Sequence, residues 1–368
     1  MEWLFLSNMF PSASDPSYGA FVARSLSDLK SQGIKIAHTV VIEGRHSGWA
    51  KLRRYLDYFR RIFSAGSSRR VEAIYAHYAS HHCLPIALLA LLFRKKLVLH
   101  IHGDDLAMRQ SLSRALNRTG QHTLVKHARL IIVPSLYFSE MLRAVYRDVD
   151  ENKIFVSPSS GVEIDAFAAS GQSRVRYWDT AGSAPTIAHF GYVGRIDADK
   201  GWKLIFEACA KLPHHLAEHV HLHFWGSGQE LDDLHLEISK IGFSQATYHG
   251  HVEPDKVPDI HREFDFQIIP SYRESLGLSA IEGLAAGHVV LCSAIRPFTD
   301  FTTDGETAIH FAPGDAESLC SAMTQVITGS SVQWRAMSVA ASRLARQYDR
   351  QLVAKQLSDM IRNKVCSN

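Results

Sequence analysis

FQIIPSYRESLGLSAIEGLAAGHVVLC, residues 266–292, reads as strand, loop, helix and strand in quick succession. Phe266 to Pro270 is a short apolar run of strand length. Ala280 to Ala286 is a run of small residues that suits a helix, and Val289 to Cys292 is a second buried strand. Between strand and helix, Glu274 and Glu282 flank a Gly277-Leu278 step. A loop that feeds a helix N-terminus presents unpaired backbone N–H groups and the positive end of the helix dipole, both of which favour anions. Phosphate held there, beside carboxylates that accept from sugar hydroxyls, is what a nucleotide-sugar enzyme requires. An ordinary strand–turn–helix with two solvated acids gives the same letters, so the rest of the chain has to decide.

The pattern repeats outward in both directions. Strand candidates in the first half are Trp3–Leu6, Ile36–Val41, Ala73–Ala76, Leu97–Ile101, Leu130–Val133 and Ile154–Val156. In the second half they are Ile187–Tyr192, Val220–Trp225, Ala246–His249, Phe266–Ile269, Val289–Cys292 and Ala308–Phe311. Short β-branched runs separated by helical stretches are the mark of βαβ units, which build parallel sheets covered by helices on both faces. Right-handed crossovers then put every strand's carboxyl end on one edge, where ligands bind. A chain of 368 residues exceeds one ordinary core. The expected architecture is α/β, with two Rossmann-like domains whose parallel sheets face each other across a cleft. Ser170 to Pro185, rich in Ser, Gly, Ala and Thr, is the expected seam. It divides a domain over 1–170 from one over 186–345, with 346–368 as a terminal helix crossing back to the first. The helical pattern itself runs from Val332 to Lys364.

Composition narrows the class. With 46% hydrophobic and 21% charged residues, the chain is ordinary globular protein. A formal net charge of +3, and no basic–aromatic RNA motif, argue against a nucleic-acid partner. The five cysteines are scattered without a CxxC, which suits a reducing compartment better than a disulfide framework or a zinc site. The N-terminus lacks a basic signal-peptide region, and the longest apolar stretch, Leu84 to Phe93, is too short to span a bilayer. The expected location is cytoplasmic.

Strand Ile187–Tyr192 leads into Gly191-Tyr192-Val193-Gly194-Arg195-Ile196 and then Asp197-Ala198-Asp199-Lys200-Gly201. Glycine lets backbone approach a ligand, and Arg195 with Lys200 supplies fixed positive charge at a strand's carboxyl end. A departing diphosphate needs such charge. The dinucleotide fingerprint GxGxxG is absent here. Val220–Trp225 likewise runs into Gly226-Ser227-Gly228-Gln229-Glu230, and Tyr248-His249-Gly250-His251-Val252 closes another strand. Simple turn chemistry would explain each of these alone.

In order, these pieces resemble the family 4 retaining glycosyltransferases of the GT-B architecture. The resemblance takes in Gly191–Gly201, Gly226–Glu230, His249–Val252, Pro270-Ser271, Glu274–Glu282, Gly287-His288-Val289-Val290 and Gly305–Pro313. It departs from the family at His288, where proline is usual, and at Ile295-Arg296-Pro297. It implies that Glu282 binds the nucleotide ribose and that Glu274 meets the donor sugar. Arg195 and Lys200 would bind the diphosphate together with backbone N–H groups of Ser275, Leu276, Gly277 and Leu278. Gly194, Gly226, His251 and Val252 would complete the nucleotide pocket.

The first half carries the resemblance more thinly. Phe10-Pro11 and Asp15–Val22 match the family's first loop, which makes Gly19 the candidate for close approach to the donor phosphate. His102, in His102-Gly103-Asp104-Asp105 after strand Leu97–Ile101, matches a histidine that meets the donor sugar. His77, ending the preceding strand, would line the acceptor side. The implied catalytic set is Glu274, His102, Arg195 and Lys200, with no metal and no cofactor beyond the nucleotide-sugar co-substrate.

Trp49, Leu52, Leu56, Phe59 and Phe63 recur at helical spacing, surrounded by Lys51, Arg53, Arg54, Arg60 and Arg61. Such a basic amphipathic helix can lie on an anionic membrane surface. It can equally pack its apolar face inward and leave the cations in water. The first alternative places residues 49–63 at the inner face of the cytoplasmic membrane, as a peripheral contact.

The expected reaction moves a sugar from a nucleoside-diphosphate sugar to a glycan or lipid-linked acceptor in cell-surface polysaccharide synthesis, with retention. A hydrolase would need carboxylates about 5 to 9.5 Å apart across the scissile bond, and the cations beside Glu274 favour phosphate instead. A nucleotide-sugar epimerase on the same architecture, and a non-catalytic nucleotide-sugar-binding subunit, are the competing readings.

Overall fold

The structure is a computed structural model that describes residues 1–15, 18–78, 82–103, 114–172, 187–241 and 245–367. It divides into two compact units: Met1–Gly161 with Gln351–Asn368, and Val162–Arg350.

The first unit holds strands β1 (Glu2–Phe10), β2 (Ile36–Glu43), β3 (Val71–His77), β4 (Lys96–His100), β5 (Leu130–Val133) and β6 (Ile154–Val156). They form one parallel sheet in the order β2-β1-β3-β4-β5-β6. Leu4, Leu6, Ile74, Leu97 and Ile131 face one cluster, where they meet Tyr58, Ile62 and Leu89. Trp3, Phe5, Tyr75, Val98 and Ile132 face the other. Alternate residues thus fill opposite sides of a sheet buried on both faces. The second cluster is closed by Leu357, Ile361 and Val365 from the C-terminal segment, with Lys96 Nζ donating to the Val365 carbonyl at 2.7 Å.

The second unit holds β7 (Ala188–Val193), β8 (Val220–Trp225), β9 (Ala246–Gly250), β10 (Phe266–Ile269), β11 (Val289–Ser293) and β12 (Ile309–Phe311). Their order is β12-β11-β10-β7-β8-β9, again all parallel. Chain order reverses between β7 and β10. The crossovers from these two neighbours leave in opposite directions, and the crevice above their carboxyl ends is where doubly wound sheets take ligands.

Three expectations need correction. The unit boundary falls at Gly161, ahead of the Ser170–Pro185 seam. Val162, Ile164 and Phe167 bury in the second unit beside Ile281 and Leu284. Residues 173–186 of that seam lie outside the described residues. The long helix read over Val332–Lys364 is two helices, Ser331–Ala345 in the second unit and Arg350–Ile361, which runs into the first. Between them Asp349 turns extended, and Val162 bonds both sides of it: its N–H donates to the Tyr348 carbonyl, and its carbonyl accepts from Arg350 N–H, each at 2.9 Å. In the helix Gly48–Gly66, the apolar stripe read from spacing is split. Phe59 and Phe63 pack inward with Tyr58 and Ile62, whereas Trp49 is 82% exposed and Leu56 61% exposed.

Candidate functional site

In the second unit, the loops leaving β7 and β10 lie side by side. Lys200, at the end of the turn after β7, points its Nζ to Glu274 Oε1 at 2.7 Å, and both side chains are largely buried. Ser271 Oγ donates to the same carboxylate oxygen at 2.9 Å. Tyr272 N–H donates to the Asp199 carbonyl at 3.0 Å, which ties the two loops by backbone. The cation read as a diphosphate contact and the carboxylate read as a sugar contact are therefore neighbours, although 74 residues separate them in sequence.

Arg195 stands at the same edge with its guanidinium exposed. It is paired with Asp197 and, at 3.1 Å, with Asp199 Oδ2. Asp197 also accepts from the Gln229 backbone N–H at 2.8 Å, which fixes the loop after β8 to the loop after β7. Asp197 and Asp199 are thus the groups that orient Arg195.

Gly194 and Gly226 meet backbone to backbone. A Cβ on Gly226 would sit 1.8 Å from the Gly194 carbonyl oxygen, so no larger residue fits there. Gly226 N–H donates to the Gly250 carbonyl at 2.9 Å, and Tyr248 Oη donates to the Gly226 carbonyl at 2.8 Å. These contacts carry the close packing across to β9. There His251 is exposed, 3.8 Å from Glu253, and Val252 is half-buried. All of these groups lie at the carboxyl edge of one sheet.

The helix Leu278–Ala285 begins on Gly277, whose φ of +84° is left-handed backbone suited to glycine. No side chain caps that N-terminus. Leu276 is buried, Ser275 is half-buried, and Glu282 stands one turn along the helix, half-buried. Ser279 locks the helix start in place: its hydroxyl donates to the Val193 carbonyl at 3.0 Å and accepts from Gln267 Nε2 at 2.9 Å. The sequence reading missed Ser279. Its one signal was Gln267, a polar residue inside an otherwise apolar strand, which had to find partners once buried. It also missed Trp202, whose buried indole donates to Glu230 Oε2 at 3.0 Å.

Gly19 and His102 belong to the first unit. Gly19, with φ +76°, starts the helix Ala20–Ser31 without a side-chain cap. Phe21, two residues on, places its ring 4.8 Å from that of His102. His102 follows β4, and the Tyr78 ring lies 4.7 Å from it and 6.0 Å from that of Phe21. Tyr78 itself has φ +61°, an uncommon conformation for a side chain of that size. Asp104 and Asp105 lie outside the described residues.

Behind His102 stand two more histidines. His77 and His100 are register partners on β3 and β4. His77 Nδ1 lies 2.7 Å from His102 Nε2, and Tyr75 Oη lies 2.9 Å from His100 Nδ1. The rings stack with centroids 4.3 to 5.0 Å apart and planes within 28° of each other. Burial drives all three toward the neutral form, His100 down to about 3 and His77 and His102 well below the ordinary histidine value. Neighbouring imidazoles add to the effect at His77 and His102. Three ligand nitrogens within 4.8 Å give this cluster a metal-binding composition. His77 Nδ1 and His102 Nε2 face each other at 2.7 Å as a hydrogen-bonded pair, so an ion would first have to break that contact.

Comparison with known proteins then places the chain. Residues 183–343 match the family model described as glycosyl transferases group 1, and residues 16–160 match the glycosyl transferase 4-like domain. A glycogen synthase of Mycobacterium tuberculosis is 30% identical over 182 residues, 48% of this chain and 43% of that protein. The lipopolysaccharide core biosynthesis glycosyltransferase LpsE of Rhizobium meliloti is 27% identical over 186 residues, 50% of this chain and 52% of its own. The chain thus matches about half the length of these curated relatives. The crystal structure of Anabaena Alr3699/HepE in complex with UDP-glucose matches 99% of this chain and 100% of its own. Its TM-score is 0.74 at 16% identity, a likeness of fold. With one family model matching in each unit and this fold throughout, the chain belongs to the GT4-like family of GT-B glycosyltransferases.

Proposed function

We propose that the protein transfers a hexosyl unit from a nucleoside-diphosphate sugar to a glycan or lipid-linked acceptor, with retention and without a metal, in cell-surface polysaccharide synthesis. The observation that carries this reading is the Lys200–Glu274 pair at the β7/β10 switch point, beside the uncapped N-terminus of Leu278–Ala285. The diphosphate lies against Lys200, Arg195 and the N–H groups at residues 275–278. Glu274 accepts from the sugar hydroxyls and Glu282 from the ribose. Gly194, Gly226, His251 and Val252 border the nucleotide. Gly19 approaches the donor phosphate, and His102 meets the donor sugar.

In the reaction the bond from the anomeric carbon to the diphosphate oxygen breaks. Lys200 and Arg195 take up the charge that develops on that oxygen. The acceptor hydroxyl adds from the same face, and its proton passes to a phosphate oxygen of the leaving group, so no strong side-chain base is needed. The test incubates the protein with uridine and guanosine diphosphate sugars and candidate acceptors in EDTA, then reads the glycoside by NMR. An α-linked product from an α-linked donor is expected. Conversion of the donor without an acceptor would indicate the epimerase, and tight donor binding without turnover would indicate the binding subunit.

A peripheral place on an anionic membrane fits the first unit. Trp49, Leu52 and Leu56 are exposed beside Lys51, Arg53 and Arg54. The neighbouring helix Cys83–Leu92 exposes Leu88, Leu91 and Leu92, with Phe93 and the exposed Arg94 following. Among the described residues no helix is long and apolar enough to cross a membrane. Each basic residue near such a surface is worth about 1 kcal/mol, and the apolar side chains add buried area. The protein should float with phosphatidylglycerol-containing vesicles and not with neutral ones. Trp49→Ser with Leu56→Ser should cut the floated fraction severalfold while leaving the thermal midpoint unchanged.

A further inference from the structure

We infer that His77 is a positioning residue that sets the tautomer of His102, holding its Nε2 bare and its proton on Nδ1. The inference rests on the reading of His102 as the group that meets the donor sugar, but it can be tested without that reading.

His77 Nδ1 and His102 Nε2 are 2.7 Å apart, so one nitrogen carries the proton and the other accepts it. The far nitrogen of His77, Nε2, is fully buried and has no hydrogen-bond partner. If His77 carried its proton on Nε2, a buried N–H would be orphaned. Unpaired buried donors are the rarer and costlier defect, and an unpaired acceptor is better tolerated. His77 therefore keeps its proton on Nδ1 and donates it to His102. With Nε2 occupied as an acceptor, a neutral His102 must carry its own proton on Nδ1.

The surroundings hold this arrangement in one geometry. Phe5 and Tyr75 flank His77, with ring centroids 5.0 and 5.2 Å away. His100 stacks on His77 and His102 at 4.8 and 4.3 Å, while Phe21 and Tyr78 enclose His102. Burial keeps the three imidazoles neutral, so neither member of the pair escapes the tautomer constraint by taking a second proton. Sequence alone does not reveal this role. His77 and His102 are 25 residues apart, and only the β3–β4 register brings them together.

The test is imidazole ¹⁵N–¹H NMR on the full chain at neutral pH, with His102 assigned by comparison with His102→Gln. The expected spectrum gives His102 and His77 each a protonated Nδ1 and a bare Nε2. A protonated Nε2 on His102 would overturn the inference whether or not the chain transfers sugar. A second arm uses kinetics. His77→Asn keeps an N–H donor near the Nδ1 position and should retain kcat within a few-fold. His77→Phe keeps the ring without the donor, so it should lower kcat by about 10²-fold, the scale of one positioned proton donor, with little change in donor KM. Equal loss in both variants, with thermal midpoints preserved, would reduce His77 to a packing residue and overturn the assignment.

Discussion

Lys200→Ala lowers the transfer rate by about 10²–10³-fold while the protein stays folded. That is the scale for removing one preorganised group that meets charge formed in the transition state, about 3–4 kcal/mol. In the free protein Lys200 is held by Glu274 at 2.7 Å, so its ammonium is positioned before the donor arrives. It has three N–H donors and uses one on Glu274, which leaves capacity for a diphosphate oxygen without breaking the pair. Replacement by alanine leaves the Glu274 carboxylate supported by Ser271. That support limits the loss of stability and separates a chemical effect from unfolding. The check is steady-state transfer beside a thermal midpoint. An unchanged kcat/KM in Lys200→Ala would remove the cation from the mechanism.

Acid should destabilise the first unit well above the pH at which carboxylates titrate. His77, His100 and His102 resist protonation when folded, His100 down to about 3, whereas in the unfolded chain each titrates near the ordinary value of about 6.5. Between those limits the unfolded chain binds more protons than the folded one. Stability is then complete above about pH 6.5 and falls as pH is lowered, by about 1.4 kcal/mol per pH unit for each histidine fully in that window. His249 and His310, in the second unit, are also lowered by burial and weaken that unit with the same sign. Urea midpoints measured from pH 7.5 to 4.5 should drop steeply below pH 6. His100→Phe removes one of these groups and should flatten the slope by about 1.4 kcal/mol per unit. A midpoint that holds level between pH 7 and 5 would contradict the buried neutral cluster.

Much of the fold was legible because burial on both faces of a parallel sheet leaves a local record. Runs such as Leu130–Val133 and Val289–Cys292 have no use for polar residues, so they read as strands from their own letters. The order of strands leaves no such record. That β10 lies beside β7, and so that Glu274 meets Lys200, follows from crossovers that span scores of residues. Glycines at backbone crossings were visible as residue types, but their partners were not. Gly226 faces Gly194 only after β7 and β8 pair. The helix Gly48–Gly66 shows the limit of periodicity. Trp49 and Phe63 share a helical spacing, yet only Phe63 meets the sheet's core. Glu282 and Glu274 look alike in sequence, and position alone separates a helix residue from a loop residue paired to a lysine.

The direct measurement is isothermal titration of the full chain, in EDTA, with uridine, guanosine and adenosine diphosphates, repeated with Lys200→Ala. Saturable binding of one diphosphate by the unsubstituted protein, weakened about tenfold in the variant, a change of about 1.4 kcal/mol, is the expected result. Absence of binding to every diphosphate by folded protein would contradict the assignment of the β7/β10 edge as the donor site.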